Sequence, residues 1–334
     1  MLLISIVVRE GGELVSPSTQ HHHTPSFEVW VITPDELRHI SGVLLAWPQA
    51  STQDTRIDLM SHNTEYLYGW IYDITNPRML DRLTDQSAHY PVRIILENDK
   101  YMQFGDDFGK TISLLTGWDI IIYPDEDLEV IYTHAKTFVG DMWRVIQTAN
   151  FNTSSRTTNR EHFFLSQDET IRQDLLALFT LDQTKIADPV SITDADYQAL
   201  LSTLSPELIV CPLNCRDKLE TLLSQAQERI RISSQYILDS SILAILKSQV
   251  QAGKDLRILT NKLESNRALL KALWPDLISF DAQVYNHDKL IVIDDLVVVG
   301  SMNLSDNALD NNREIGVILK DPALLQQVES LFVL

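Results

Sequence analysis

From Glu28 onward, short apolar runs alternate with amphipathic stretches. YLYGWIYDIT (66–75) reads as a buried strand whose polar break is Asp73. Asn76-Pro77 then opens a helix through MLDRL, with proline near its first turn. VRIILEN (92–98) and DIIIYP (119–124) read as two more buried strands, the second stopped by proline and an acidic turn. The second half repeats this order. A helix over Arg216 to Gln227 leads into RIRISSQYIL (229–238), and a helix over Ser240 to Gln251 ends at Gly253. DLRILT (255–260) is the next strand, followed by a helix over Ser265 to Trp274. Strands separated by helices of this length predict α/β units on a largely parallel sheet.

Residues 1–26 are expected to form a flexible arm, because 10–26 are rich in Gly, Ser, Pro, Thr and His. His21, His22 and His23 lie inside it with nothing nearby to complete a metal site. A first domain over 27–180 and a second over 207–334 then flank a linker at 181–206. That segment is polar and acidic and carries two prolines, which suits a tether with a short helix.

Composition narrows the function classes. Acidic side chains outnumber basic ones 46 to 27 over 334 residues, giving a net charge of −19 with histidine neutral. A general surface this acidic repels nucleic acid and anionic membrane, so an anionic substrate needs a local positive site. Two cysteines exclude a disulfide scaffold. Cys211 and Cys215 are expected to be buried thiols, with a disulfide as the alternative in an exported protein. No stretch reaches the roughly 18 to 20 apolar residues of a membrane span. The start, MLLISIVVREGG, is expected to be a first strand or loose arm. Tyr66, Tyr68, Trp70 and Tyr72 alternate on one strand and read as a packed face, and Trp143 as either a packing residue or the edge of a lipid entrance.

The chemistry lies in an internal repeat. YTHAKTFVGDMWRVIQTANFNTSSRTTNRE (132–161) and YNHDKLIVIDDLVVVGSMNLSDNALDNNRE (285–314) align without a gap at a shift of 153 residues. The shift pairs His134 with His287, Lys136 with Lys289, Asp141 with Asp294 and Asn150 with Asn303. It also pairs Asn159-Arg160-Glu161 with Asn312-Arg313-Glu314. Identities fall mostly on polar and ionisable residues while apolar positions drift, the opposite of a repeat kept only for packing.

Histidine and lysine two apart on a strand face the same way. Each strand turns at an acidic residue and returns as WRVI or LVVV, ending at Thr148-Ala149-Asn150 or Ser301-Met302-Asn303. Each half therefore offers an imidazole, an ammonium, an amide and a hydroxyl on one patch, a set suited to a phosphate group.

These residues resemble the paired HxKxxxxD...GSxN motifs of the phospholipase D superfamily, over roughly 60–170 and 205–330. The resemblance implies two similar α/β domains about a pseudo-twofold axis, with one active site between them. It implies phosphodiester cleavage by two-step displacement, with no metal and no cofactor. His134 would attack phosphorus to form a phosphohistidine, and His287 would act as acid and base. Lys136, Lys289, Asn150 and Asn303 would hold phosphoryl oxygens, Thr148 and Ser301 would add hydroxyl donors, and Glu161 and Glu314 would orient the imidazoles. Asp141 and Asp294 would either support the hairpins or contribute directly. Two departures stand out. Five residues, not the family's usual six, separate the Asp from position 147 or 300, and Gln147-Thr148 replaces the Gly300-Ser301 of the second copy. The missing glycine is expected to make the first half-site less symmetric.

NREIGVIL (312–319) and the double motif are similar to the bacterial phosphatidylserine, phosphatidylglycerophosphate and cardiolipin synthase-like group. The expected substrate is a phospholipid or other phosphodiester, with peripheral membrane contact and a cytoplasmic or membrane-surface location. A nuclease of the same superfamily is the alternative, and the net charge weighs against it. One chain supplies both motifs, so a monomer is the simplest state.

Overall fold

The computed structural model describes residues 37–47, 62–97, 118–123, 130, 132–262, 266, 275–281 and 284–332. The N-terminal arm with its three histidines lies outside them, as does the helix predicted over 265–274 apart from Asn266.

In the first half, strands β1 (Gly42–Trp47) and β2 (Leu67–Ile71) precede helix α1 (Pro77–Ser87). Asn76 caps α1, its side chain accepting from the Arg78 and Met79 N–H groups, and Pro77 occupies the first turn, where no backbone donor is needed. Strands β3 (Val92–Glu97), β4 (Trp118–Tyr123), β5 (Lys136–Gly140) and β6 (Arg144–Gln147) follow. The short helix α2 (Thr153–Thr157) leads to β7 (Asn159–Ser166), then to α3 (Glu169–Ala187) and α4 (Asp194–Leu201).

In the second half, β8 (Leu208–Cys211), α5 (Cys215–Ser224), β9 (Arg229–Ser234) and α6 (Ser240–Gln251) come first. Next are β10 (Asp255–Thr260), β11 (Ile278–Phe280), the two-residue β12 (Tyr285–Asn286) and β13 (Lys289–Ile293). β14 (Leu296–Gly300), β15 (Glu314–Leu319) and α7 (Pro322–Glu329) complete the chain.

The two sheets have one topology. The first runs β1-β7-β6-β5-β2-β3-β4 and the second β8-β15-β14-β13-β9-β10-β11. In each, the three strands of the alternating strand–helix portion pair in parallel, and the hairpin with its return strand pairs antiparallel. The repeat seen in the motifs is thus a repeat of the whole sheet.

Strand alternation divides the core into layers. Val139, Ile146 and Phe164 face Leu290, Val292, Val297, Val299, Ile315 and Val317 in one buried cluster between the sheets. Their neighbours Phe138, Val145, Phe163 and Leu165 pack outward toward α1. Ile291, Ile293, Val298 and Ile318 pack outward toward α5 and α6. The segment read as a linker is built into this arrangement. Helix α3 runs into it, α4 lies within it, and its Tyr197 and Leu200 belong to the central cluster. Its polar composition describes one face, since Leu181, Ile186, Ile192, Leu201 and Leu204 from the segment itself pack against that cluster.

Candidate active site

Both His/Lys strands meet the other half at a parallel seam. β12 pairs with the start of β7, Tyr285 opposite Asn159 and Asn286 opposite Arg160. His287 N–H then donates to the Arg160 carbonyl at 3.1 Å. The symmetric seam sets Thr133 opposite Arg313, and His134 N–H donates to the Arg313 carbonyl at 2.9 Å. Each motif strand is therefore registered against the NRE segment of the opposite half. Register alone brings His287 beside Glu161 and His134 beside Glu314.

The side chains follow. His134 Nδ1 lies 2.7 Å from Glu314 Oε1, and His287 Nδ1 lies 3.0 Å from Glu161 Oε2. An ionised carboxylate only accepts, so Nδ1 carries the proton in both rings and Nε2 is the nitrogen left for substrate. Both glutamates are fully buried, whereas the His134 and His287 side chains retain 15% and 12% exposure. Lys136 Nζ donates to the His134 carbonyl at 2.5 Å and Lys289 Nζ to the His287 carbonyl at 2.7 Å.

The four basic groups feel one another. Burial lowers His134 to about 4, with Lys136 and Lys289 adding to the effect and Glu314 opposing it. Burial also lowers His287, opposed by Glu161. Burial brings Lys136 down to about 7 and Lys289 to about 8. Burial pushes Glu161 upward, but His287, Lys289 and the Thr148 hydroxyl outweigh it and hold the carboxyl at about 2. The result is a buried patch with two neutral imidazoles and two ammoniums whose charge is costly without an anion. A bound phosphodiester would supply that charge.

The remaining expected residues divide. Asn150 and Asn303 each keep a buried side-chain oxygen with no hydrogen-bond partner among the described residues. Thr148 Oγ1 donates to Glu161 Oε2 at 2.5 Å and accepts from His162 N–H, and Ser301 Oγ accepts from Ile315 N–H. Both hydroxyls are fully buried and occupied by the strands beside them, so the structure does not direct them at substrate.

Asp141 and Asp294 sit at the far ends of the hairpins, five residues and roughly 16 Å along the chain from the lysines. Asp141 accepts from Thr64 and Glu65 backbone N–H groups, and Asp294 from Gln227, Glu228 and Arg229. Of the two readings of these carboxylates, the structure fits hairpin support and separates them from the histidines. Gly300 has a packing reason: a Cβ there would meet the Gly316 Cα at 2.5 Å and Met302 Sδ at 2.7 Å. Gln147 and Phe163 fill the corresponding positions of the first half.

Several residues escaped the sequence reading. Tyr72, read as the end of a packed aromatic face, reaches the site. Its ring lies 4.7 Å from the His134 ring and 5.3 Å from Lys136 Nζ. Tyr68 and Trp70 do pack, both on Phe179, and Trp143 packs against the outer face of the first sheet. The arginines of the two NRE segments clamp the halves reciprocally. Arg160 Nε and Nη2 bind Asp281 at 2.9 and 2.6 Å, and Arg313 Nε and Nη2 bind Asp182 on α3 at 2.9 and 2.8 Å. Trp70 Nε1 and the Tyr197 hydroxyl complete the Asp182 shell. Cys211 and Cys215 form a disulfide in place of the expected thiols. The repeat also hides a pair it does not share: His162 Nδ1 lies 2.7 Å from Asp288 Oδ1, both buried.

A cavity of about 410 Å³ opens against His134, bounded by Tyr72, Tyr132, Tyr236, Asn303 and Asn312. No lysine or arginine lines it among the described residues, and Asp306 stands at its side.

A family model described as "Cardiolipin synthase, PLD-like domain" matches residues 219–333, the half that carries the second motif. That match covers about a third of the chain and makes its second half similar to the phospholipase D-like family. It is 25% identical over 182 residues to the probable cardiolipin synthase YwiE of Bacillus subtilis (strain 168), covering 48% of this chain and 36% of that one. It is 30% identical over 122 residues to cardiolipin synthase A of Pseudomonas entomophila (strain L48), covering 33% of this chain and 25% of that one. The chain thus spans only about a quarter to a third of these curated relatives. The crystal structure of phosphatidylserine synthase from Haemophilus influenzae Rd KW20 superposes with a TM-score of 0.66 over 87% of this chain and 86% of that one. At 13% identity, that likeness speaks for the two-domain phospholipase D fold alone.

Proposed function

We propose that this chain is a phosphodiesterase and transphosphatidylase of the phospholipase D superfamily that exchanges or hydrolyses a phospholipid head group through a phosphohistidine, without a metal. The observation that carries the reading is the reciprocal pairing: each imidazole is held at Nδ1 by a buried glutamate from the other half. Two lysine ammoniums lie in the same patch.

In the first step His134 Nε2 attacks phosphorus and the bond from phosphorus to the leaving oxygen breaks. That oxygen takes the electron pair and a proton from His287, whose protonated form the bound phosphate's negative charge favours. In the second step neutral His287 removes a proton from water or an alcohol, whose oxygen attacks phosphorus. The phosphorus–nitrogen bond breaks and His134 is regenerated. Glu161 and Glu314 stabilise the imidazolium forms and fix ring orientation, as a triad carboxylate does. Lys136, Lys289 and the Asn150 and Asn303 amides balance charge growing on the phosphoryl oxygens.

The same chemistry would cut a nucleic acid. A net charge of −19 and a cavity with no lysine or arginine among its described lining favour a single head group over a polyanionic strand. The test is an assay in excess EDTA with phospholipid vesicles of several head groups and a primary alcohol. Phosphatidic acid or a new phosphatidyl-alcohol, absent with His134→Ala and His287→Ala, is the expected result. Product only from single-stranded DNA would move the chain to the nuclease reading. Loss of turnover on chelation, restored by a divalent ion, would overturn the mechanism.

A further inference from the structure

At a shift of 153 the two half-sites carry the same histidine, lysine, asparagine and glutamate, but the buried layer between the sheets differs at several positions. Thr137, Arg144 and Ser166 stand where the second half has Leu290, Val297 and Leu319, and one difference is an ionisable pair on the seams themselves. Continuing the parallel seams by register sets Ala135 opposite Ile315 in one half and Asp288 opposite His162 in the other. Ala135 and Ile315 are buried members of the central cluster. Asp288 and His162 occupy the equivalent places and are equally buried, at 0% and 1% side-chain exposure. A buried ionisable pair where its twin is apolar is expensive to desolvate, so a packing role alone does not account for it.

The pair is fully tied in. Asp288 Oδ1 faces His162 Nδ1 at 2.7 Å, and Oδ2 accepts from the Ser233 hydroxyl at 2.8 Å. The Asp288 N–H donates to Asn286 Oδ1. On the chain, Asp288 separates His287 from Lys289, and His162 follows Glu161. The surrounding hydrogen bonds are also unequal. Glu161 receives His287, Thr148 and Asn159. Glu314 receives His134 at Oε1, and its Oε2 has no partner among the described residues.

We propose that His162 and Asp288 are a positioning pair that locks the His287–Glu161 half-site in register and keeps a negative charge beside Lys289, making the two histidines unequal partners. The charge on Asp288 raises Lys289 toward its protonated form, beside contributions from Glu161 and Glu314. Lys136 has an alanine where Lys289 has that aspartate. The charged groups acting on His287 and Lys289, besides Asp288 and each other, are Glu161 from β7, Glu314 from β15 and Lys136 from β5. The inference rests on the phosphodiesterase reading for its kinetic arm only.

The test copies the apolar half onto the ionisable one. His162→Ile with Asp288→Ala reproduces the Ile315/Ala135 chemistry, and Asp288→Asn alone removes the charge and keeps the shape. Both are compared with wild type using bis(p-nitrophenyl) phosphate and ¹⁵N-histidine spectra across pH. Expected is a fall in kcat of about tenfold with KM changed less than about twofold, as loss of orientation and not of binding predicts. The His287 imidazole should titrate at a displaced pH while His134 stays in place. Wild-type kcat with both titrations unchanged would overturn the proposal, as would equal displacement of both rings. If wild type cleaves no diester, the proposed activity fails, and the spectra of His287 and His134 still decide the pair. Should the double variant not fold, Asp288→Asn carries both readouts.

Discussion

Replacing Glu161 with glutamine tests how the structure uses its buried carboxylates. The side chain is fully buried and accepts from His287 Nδ1, the Thr148 hydroxyl and Asn159 Nδ2. Glutamine keeps the volume. One of its two terminal atoms is a donor, however, so it cannot accept from all three groups. The larger loss is charge. A unit charge about 4 Å from an imidazolium is worth roughly 4 kcal/mol at an effective dielectric of about 20. A charge-assisted hydrogen bond contributes about 1.5–3 kcal/mol by mutational measures. These overlap, so a barrier increase of about 3–4 kcal/mol is expected, or roughly 10²- to 10³-fold in kcat. The assay is steady-state cleavage of a chromogenic diester in EDTA, with the melting temperature measured alongside. KM should move by less than about threefold, because Glu161 acts on the histidine and not on the substrate. A kcat within about threefold of wild type in a folded variant would refute the orienting role, and so would a change confined to KM.

Further outcomes follow from other parts of the structure. The lysine ammoniums, lowered by burial to about 7 and 8, should lose their charge as pH rises, so kcat/KM for a diester should fall above that range. Failure of this alkaline limb in a pH profile would count against their phosphate-holding role. The sign for stability is opposite. Between the folded value of about 7 and the ordinary lysine value of 10.5, the unfolded chain binds a proton at Lys136 that the folded chain does not. Stability should therefore rise with pH through that window, which Lys136→Met should flatten in denaturant titrations. Asp294→Ala should cost about 1–2 kcal/mol of stability by leaving three backbone N–H groups unpaired, with kcat per folded molecule unchanged. Asp182→Ala should cost about 3–5 kcal/mol in the same measurement, because it strands the buried Arg313 guanidinium between the halves.

Much of this site is legible in the sequence because its chemistry is repeated. Each half must supply a histidine, a lysine and a glutamate, so a fixed shift between polar identities exposes all six. Fold class is legible for a related reason: α1, β3, α6 and β10 all follow from local periodicity and turn residues. What the sequence withholds is long-range geometry. Glu161 serves His287 and Glu314 serves His134, and only the crossed parallel seams reveal that exchange. Thr148 and Ser301 fall in the motif, yet their oxygens are taken by strands that sequence spacing does not place. Tyr72 shares its alternation with Tyr68 and Trp70, and nothing local says that the strand ends at the site. His162 and Asp288 are invisible to a search for repeated residues because they are among the positions where the repeat is broken. The segment at 181–206 reads as polar because α4 exposes its polar face, while Tyr197 and Leu200 enter the core.

The central claim is that His134 carries the phosphoryl group between the two steps. The most direct measurement is an acid-labile, alkali-stable phosphoryl adduct, trapped by rapid alkaline quench after mixing His287→Ala enzyme with bis(p-nitrophenyl) phosphate. Its good leaving group needs little acid assistance, so the first step should proceed while the second stalls. Peptide mass analysis should place one adduct on His134, and His134→Ala should show none. No adduct despite turnover, or one on another side chain, would contradict the account.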